Sequence, residues 1–341
     1  MSVLSRAAAR LPQVPVPLLS PLARGWLRRS FGEPPLDSSA PQGDRGLLGP
    51  DSASWRLYAD AASIVGGIRS LLVQLTHPLA MAGVAEHSRY HEDPLGRLRD
   101  TSAYVAVTTF GATGEALRMI AAVRGAHRRV VGTAPDGRPY DASDPELLTW
   151  VSVAGTASWL RSDADFASNP LSPADRDRSV AEQGRIAALL DPRVDPAVLR
   201  AHRDPARALA DGSLSLPLVE EGWLPTTEEE LSDRMAWFAP RLAVGPQGRD
   251  TLQFLLWPPV DPVLRLGYLP TLAGAIGSLD PGTRRLLGLP LGSATSTVMR
   301  LQSEIALIAL RSTLAGPSPN AQTATRRATP GDAGRRLNNA V

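Results

Sequence analysis

The chain has 341 residues, of which 43% are hydrophobic and 21% charged, a globular composition long enough for one large domain or two ordinary ones. It contains no cysteine and no lysine, which excludes disulfides, thiolate metal sites, iron–sulfur clusters and lysine Schiff-base chemistry. The formal net charge is only +2, and no basic stripe with interleaved aromatic residues indicates a nucleic-acid partner.

The N-terminal segment, residues 1–45, is rich in proline, arginine, glycine and serine, and we expect it to be flexible. Its apolar stretch is broken by prolines before it reaches the length of a signal-peptide core, and no run in the chain reaches eighteen apolar residues. The sequence therefore predicts a cytoplasmic protein without a transmembrane segment. The amphipathic stretch from Val16 to Phe31 allows at most a weak peripheral contact with a membrane.

Helix signals dominate the rest of the chain. An aspartate that can cap a helix precedes a proline suited to its first turn at several places, which include 93–94, 144–145, 195–196, 261–262 and 280–281. With the apolar periodicity, these signals predict helices at about 53–76, 78–90, 94–109, 113–130, 145–161, 173–190, 196–203, 227–238, 247–256, 281–287 and 293–313. The Asp136-Gly137 turn predicts either a small hairpin or a loop. We expect an all-α fold with one large multi-helix domain over residues 46–314 and a disordered tail over 315–341.

Three of the five histidines lie close together at His77, His87 and His91. His77 precedes a proline in an apolar run, which predicts a capping role at a break between helices. His87 and His91 stand four residues apart and could bind zinc or iron on a continuous helix. The following Asp-Pro pair disfavours that geometry, and a third ligand would have to come from elsewhere. Packing is the alternative role for both.

Arg97 and Thr101 stand four apart on one face of the helix predicted to start at Pro94. If this face borders a cavity, the pair offers a fixed cation and a hydroxyl, which could orient dioxygen, a propionate or a carboxylate. The alternative is a surface arginine beside a threonine that bonds back to its own helix.

His127 continues an apolar stripe formed by Ala116, Ile120 and Val123, so its imidazole should point inward. One interpretation is a core histidine bonded to a backbone carbonyl. The other is an axial ligand of haem iron, which needs one neutral imidazole, apolar walls and cations for the propionates. Arg124 is a candidate cation for a haem propionate, as are Arg128 and Arg129. His202 is expected at an exposed helix end.

Three segments, in order along the chain, carry a family resemblance: "LLVQLTHPLAMAGVAEHSRYHEDPLGRLRDT", "AHRRVVGTAPDGRPYDASDPELLTWV" and "NPLSPADRDRSVAEQGRIAALL". Together they resemble the MpaB/rubber-oxygenase catalytic domain family, which includes the latex-clearing proteins. The similarity runs from about Gly46 to Pro290. It implies a helical fold that encloses a haem b pocket, with His127 on the iron and Arg97 and Thr101 lining the pocket. Members studied cleave carbon–carbon double bonds of isoprenoid chains with dioxygen and give carbonyl products.

The sequence departs from latex-clearing proteins at two positions. Asp100 stands where they have a lysine before the threonine, and Ser152 follows "WV" where many members have a histidine. With no recognisable export signal, these differences argue against rubber as the substrate. The resemblance thus predicts a haem-b-dependent oxygenase that acts with dioxygen on a hydrophobic, isoprenoid-like small molecule. The alternatives are a non-catalytic haem carrier or sensor, a non-haem enzyme built on His87 and His91, and a helical interaction protein.

Overall fold

Helices form nearly all of the regular structure in the residues that the computed structural model describes, which are 20–88, 92–289, 291–314 and 316–329. The α-helices are α1 (Ser20–Phe31), α2 (Ala53–Ala59), α3 (Ala62–Gln74), α4 (Pro78–His87), α5 (Pro94–Phe110), α6 (Thr113–His127), α7 (Pro145–Phe166), α8 (Pro173–Ala188), α9 (Pro205–Ala210), α10 (Pro217–Glu220), α11 (Glu228–Phe238), α12 (Pro246–Leu256), α13 (Pro262–Gly277), α14 (Pro281–Leu286), α15 (Ser293–Leu314) and α16 (Pro319–Ala328). Short 3₁₀ helices span Pro196–Ala201 and Ala239–Arg241. The predicted all-α class is confirmed.

The only sheet in this part of the chain is an antiparallel hairpin, in which β1 (Val131–Thr133) pairs with β2 (Pro139–Asp141). Its turn contains Gly137 at a φ of +84°, a conformation that favours glycine. Of the two outcomes expected for this stretch, the hairpin is the one that forms, and it directly follows the end of α6.

All five predicted Asp-Pro starts are confirmed as helix N-termini. In each case the aspartate accepts hydrogen bonds from backbone N–H groups in the first turn, as at Asp93 for Gly96 and at Asp144 for Glu146. Such a cap satisfies a donor that the helix itself leaves free, while the proline loses nothing by lacking an N–H. The start of α5, which carries Arg97 and Thr101, is fixed in this way.

Five α-helices lie where the sequence patterns did not predict them, namely α1, α9, α10, α13 and α16. α13 was missed because three glycines and Pro270 lower its helix propensity, yet Gly274 and Gly277 allow α15 to approach closely. The C-terminal segment was expected to be disordered, but residues 319–328 form α16, in which Ala324 is fully buried. Within the N-terminal segment expected to be flexible, residues 20–31 form α1. The rest of both segments lies largely outside the described residues.

The break between α3 and α4 is built as predicted. α3 ends at Gln74, and His77 caps α4 by accepting a hydrogen bond from the backbone N–H of Ala80 at 3.4 Å. Pro78 occupies the first turn of α4, where no donor is needed. The imidazole of His77 is thereby held in the core beside Trp150 and Phe238.

The main core lies around α3 and α7, which pack against each other along their length. α7 is the central helix, with Trp150 and Ala154 fully buried. A second apolar cluster joins α6 to α8 and to the segment around residues 194–224. α5 and α6 are consecutive helices that contact each other, and Arg327 of α16 donates a hydrogen bond to the carbonyl of Phe110 at the end of α5. This pair carries the candidate site.

None of the described helices combines the length and the apolar composition that a bilayer-crossing segment needs. α1, where a peripheral membrane contact was considered, packs part of its apolar face on the protein: Trp26 donates a hydrogen bond to the carbonyl of Leu264 in α13. Residues 16–19 of that stretch lie outside the described residues. The membrane contact therefore stays a prediction.

Candidate functional site

Arg97 and Thr101 are brought together on α5, one helical turn apart. The Nη1 atom of Arg97 donates a hydrogen bond to Thr101 Oγ1 at 2.7 Å, and Thr101 Oγ1 donates one to the Arg97 carbonyl at 3.0 Å. The threonine therefore bonds back to its own helix and at the same time holds the guanidinium. The back-bonding expected for Thr101 in the second alternative is formed, and it orients the oxygen that receives Arg97. The first alternative, in which this face borders a cavity, stays a prediction.

The guanidinium of Arg97 is partly desolvated. Its side chain is accessible to water. Nevertheless the surrounding protein lowers the pKa of its guanidinium, chiefly through desolvation, while the Asp100 carboxylate opposes the change.

His127 is the last residue of α6, and its predicted inward orientation is consistent with the structure. Ala116 and Ile120 of the same stripe are fully buried, and His127 itself is half-buried. Its Nδ1 atom is buried and has no hydrogen-bond partner among the described residues. The bond to a backbone carbonyl that would mark a purely structural core histidine is thus not formed there at Nδ1.

The electrostatics of His127 connect it to Arg97. Desolvation lowers the pKa of the imidazole, the positive charge of Arg97 lowers it further, and the Asp141 carboxylate opposes both. Because the pKa falls below its usual value of 6.5, the ring is neutral at pH 7 and keeps one nitrogen lone pair. Residues thirty positions apart in sequence thus act on each other across the α5–α6 pair. We call Arg97, Thr101 and His127 the α5–α6 site.

The arrangement does not include Arg124, which was predicted to bind a cofactor. Its Nη2 atom instead donates a hydrogen bond to the carbonyl of Pro192 at 3.1 Å. At 100° per residue, position 124 is turned about 60° away from His127 around α6, and its long side chain extends away from the inward stripe. Arg124 lines a surface cleft together with Arg128 and Arg200.

Sequence reasoning missed Tyr104, which is seven residues after Arg97 on the same face of α5. It is half-buried and lies near Tyr58, and desolvation raises the pKa of its phenol, which therefore stays protonated at neutral pH. The repeat of polar groups at 97, 101, 104 and 108 was the available signal. This repeat indicates a stripe of polar side chains along α5, whose surroundings are mostly apolar.

The other histidines have local structural contacts. His77 is 2% exposed, and desolvation together with Arg138 lowers the pKa of its imidazole to about 4. His87 Nε2 lies 3.1 Å from the hydroxyl of Tyr140, which also bonds Glu86. His202 ends the 3₁₀ helix Pro196–Ala201.

His91 lies outside the described residues, so the predicted pairing of His87 with His91 is not tested. In the described part of the chain, no group of three or more histidine, aspartate or glutamate side chains could hold a metal ion. The non-haem alternative built on His87 and His91 stays a prediction.

Comparison with known proteins identifies the class to which this fold and site belong. Residues 55–310 match the family described as "ER-bound oxygenase mpaB/B'/Rubber oxygenase, catalytic domain". The match covers most of the chain and includes all of the α5–α6 site, so the chain belongs to this family of oxygenase catalytic domains.

Two curated mycobacterial proteins are similar to part of the chain. They are "Uncharacterized protein Mb2261" of Mycobacterium bovis and "Uncharacterized protein Rv2237" of Mycobacterium tuberculosis, each 30% identical over 125 residues. The aligned region is 36% of this chain and 49% of either relative, so the chain spans about half the length of the curated relatives it matches. No solved structure matches.

Proposed function

We propose that this protein is a haem-b-dependent oxygenase that acts with dioxygen on a hydrophobic, isoprenoid-like substrate. Membership of an oxygenase family supports the general reaction class. The observation that carries the finer proposal is His127: a half-buried imidazole on an apolar stripe, with a lowered pKa and a buried Nδ1 that lacks a partner among the described residues. A buried polar atom without a partner is costly unless a ligand satisfies it.

The residues of the α5–α6 site fit a haem group. His127 would hold the iron through a ring nitrogen, which must be unprotonated, and the lowered pKa keeps it so at neutral pH. Arg97 would contribute a fixed positive charge and N–H donors beyond the one given to Thr101. When bound, haem iron would supply the activation of dioxygen.

Within this proposal Thr101 is a positioning residue. Its hydroxyl proton is directed to the Arg97 carbonyl and its oxygen receives the Arg97 guanidinium, so it has no second proton to donate. Its effect is to fix the rotamer of Arg97, which can then orient a propionate or a polar oxygen atom. Tyr104 keeps its proton and can donate one hydrogen bond on the same face of α5. The apolar residues around both helices would exclude water from the site.

Oxygen uptake tests the proposal. Protein loaded with haem would be incubated with isoprenoid alkenes of increasing length, while dioxygen consumption and carbonyl products are measured. The expected result is uptake that depends on the alkene and matches aldehyde or ketone formation, with loss of both in His127→Ala and retention of both in His202→Ala. Haem binding without alkene-dependent uptake would instead support a carrier or sensor.

A further inference from the structure

A concave site lies on a different face of α6 from His127. We call it the α6 cleft: a cavity of about 270 Å³ between α6 and the 3₁₀ helix Pro196–Ala201, lined by Leu117, Ala121, Arg124, Arg128, Asp195 and Arg200 among others. Leu117, Ala121, Arg124 and Arg128 repeat at steps of three and four, so they share one face of α6. That face is turned by roughly a quarter of a turn from the stripe of Ala116, Ile120 and His127.

The charges around the α6 cleft are not balanced. Three guanidiniums line it, against one carboxylate. Asp195 accepts a hydrogen bond from the backbone N–H of Ala197 at 3.0 Å, so part of its capacity is used to cap the 3₁₀ helix. In the portion of the chain that the structure describes, no carboxylate lies within 4.0 Å of the guanidinium of Arg124, Arg128 or Arg200, although many other arginines have such a partner.

Grouping unpaired cations around one cavity costs Coulomb energy that a bound anion would remove. Three arginines and one aspartate leave a formal charge of +2. A phosphate monoester carries close to two negative charges at neutral pH, and its oxygens match the forked donors of arginine. The apolar part of the wall, Leu117 and Ala121, offers contact to a small organic group.

We propose that the α6 cleft binds a small organic phosphate, with its phosphate held by Arg124, Arg128 and Arg200 and its organic part against Leu117 and Ala121. This assigns Arg124 to a site other than the one expected from the sequence. The proposal is independent of haem binding, because it rests on a different face of α6 and on residues that do not belong to the α5–α6 site.

Isothermal titration of the full-length protein tests the assignment. Phenyl phosphate, inorganic phosphate and malonate would be titrated separately in buffers matched in ionic strength with sodium chloride. We expect saturable binding, tightest for phenyl phosphate and weakest for malonate. Because each arginine supplies charge-assisted hydrogen bonds, Arg128→Gln and Arg200→Gln should each raise the Kd for phenyl phosphate about tenfold or more.

Arg129→Gln is the matched control, since Arg129 is equally exposed and adjacent in sequence but does not line the cleft. Its Kd should stay within about twofold of that of the wild type. Thermal unfolding without ligand checks the folding of the variants, none of which should unfold at a lower temperature than the wild type. A Kd raised equally by Arg129→Gln, or no saturable phosphate binding, would overturn the proposal. Equal affinity for malonate would refute a phosphate site, and equal affinity for inorganic phosphate would refute the apolar subsite.

Discussion

The buried imidazole of His77 should make the protein sensitive to acid. The fold lowers its pKa from 6.5 to about 4, mainly by desolvation. The unfolded chain therefore takes up a proton near pH 6.5, while the folded protein resists it until about pH 4. Stability from this residue is present above pH 6.5 and is lost as the pH falls towards 4. At 1.36 kcal/mol per pKa unit, the loss is about 3 kcal/mol.

The variant His77→Asn isolates this effect. Asparagine can still cap α4 but does not titrate in this range. Because His77→Asn loses the ring contacts with Trp150 and Phe238, the variant is less stable at every pH. The informative quantity is therefore the change of its free energy of unfolding with pH. Urea unfolding at pH 7.5 and 4.5 should show that the wild type loses about 2–3 kcal/mol more than His77→Asn over this interval. His202→Asn should follow the wild type. Equal losses in the wild type and His77→Asn would refute the reasoning.

Three further predictions follow from other contacts. Gly66→Ala would place a methyl group 3.0 Å from Trp159 Cα, where α3 meets α7. This crowding should lower the free energy of unfolding by about 1–3 kcal/mol in urea titrations. The control Gly67→Ala should not destabilise the protein, because the space around Gly67 is open. Thr101→Val frees Arg97 and should slow oxygen uptake about fivefold while the haem content stays unchanged. The control Thr108→Val on the same helix should not slow oxygen uptake. Equal rates of uptake in Thr101→Val and the wild type would contradict the positioning role of Thr101. Burial raises the pKa of Asp163 to about 6. The contribution of Asp163 to stability is therefore present below pH 4 and is lost as the pH rises through 6. Urea unfolding of Asp163→Asn should not show this loss.

Local chemistry in the sequence was enough to predict most of the helices. Each Asp-Pro pair forms its cap within a single turn, so no tertiary information was needed to place the start of α5 or α7. α13 shows the limit of that reasoning. Its glycines weaken the isolated helix but are favoured in the fold, because Gly274 faces the side chain of Ser303 in α15.

The candidate site could be predicted only in part. Spacing placed His127 on an inward stripe and Arg97 beside Thr101, since both depend on the helical period alone. Whether Arg97 influences His127 depends on how α5 and α6 pack, and the direction of Arg124 depends on the carbonyl of Pro192 in a later segment. Such contacts join distant parts of the chain and leave no local pattern.

The absorption spectrum of His127→Ala tests the central claim most directly. Wild-type protein, His127→Ala and the control His202→Ala would each be mixed with haem b, freed of excess haem and compared by haem content and Soret band. Our account predicts full haem content and the same spectrum for the wild type and His202→Ala, and a shifted Soret band with reduced haem content for His127→Ala. An unchanged spectrum with full haem content in His127→Ala would contradict the assignment of His127 as the iron ligand.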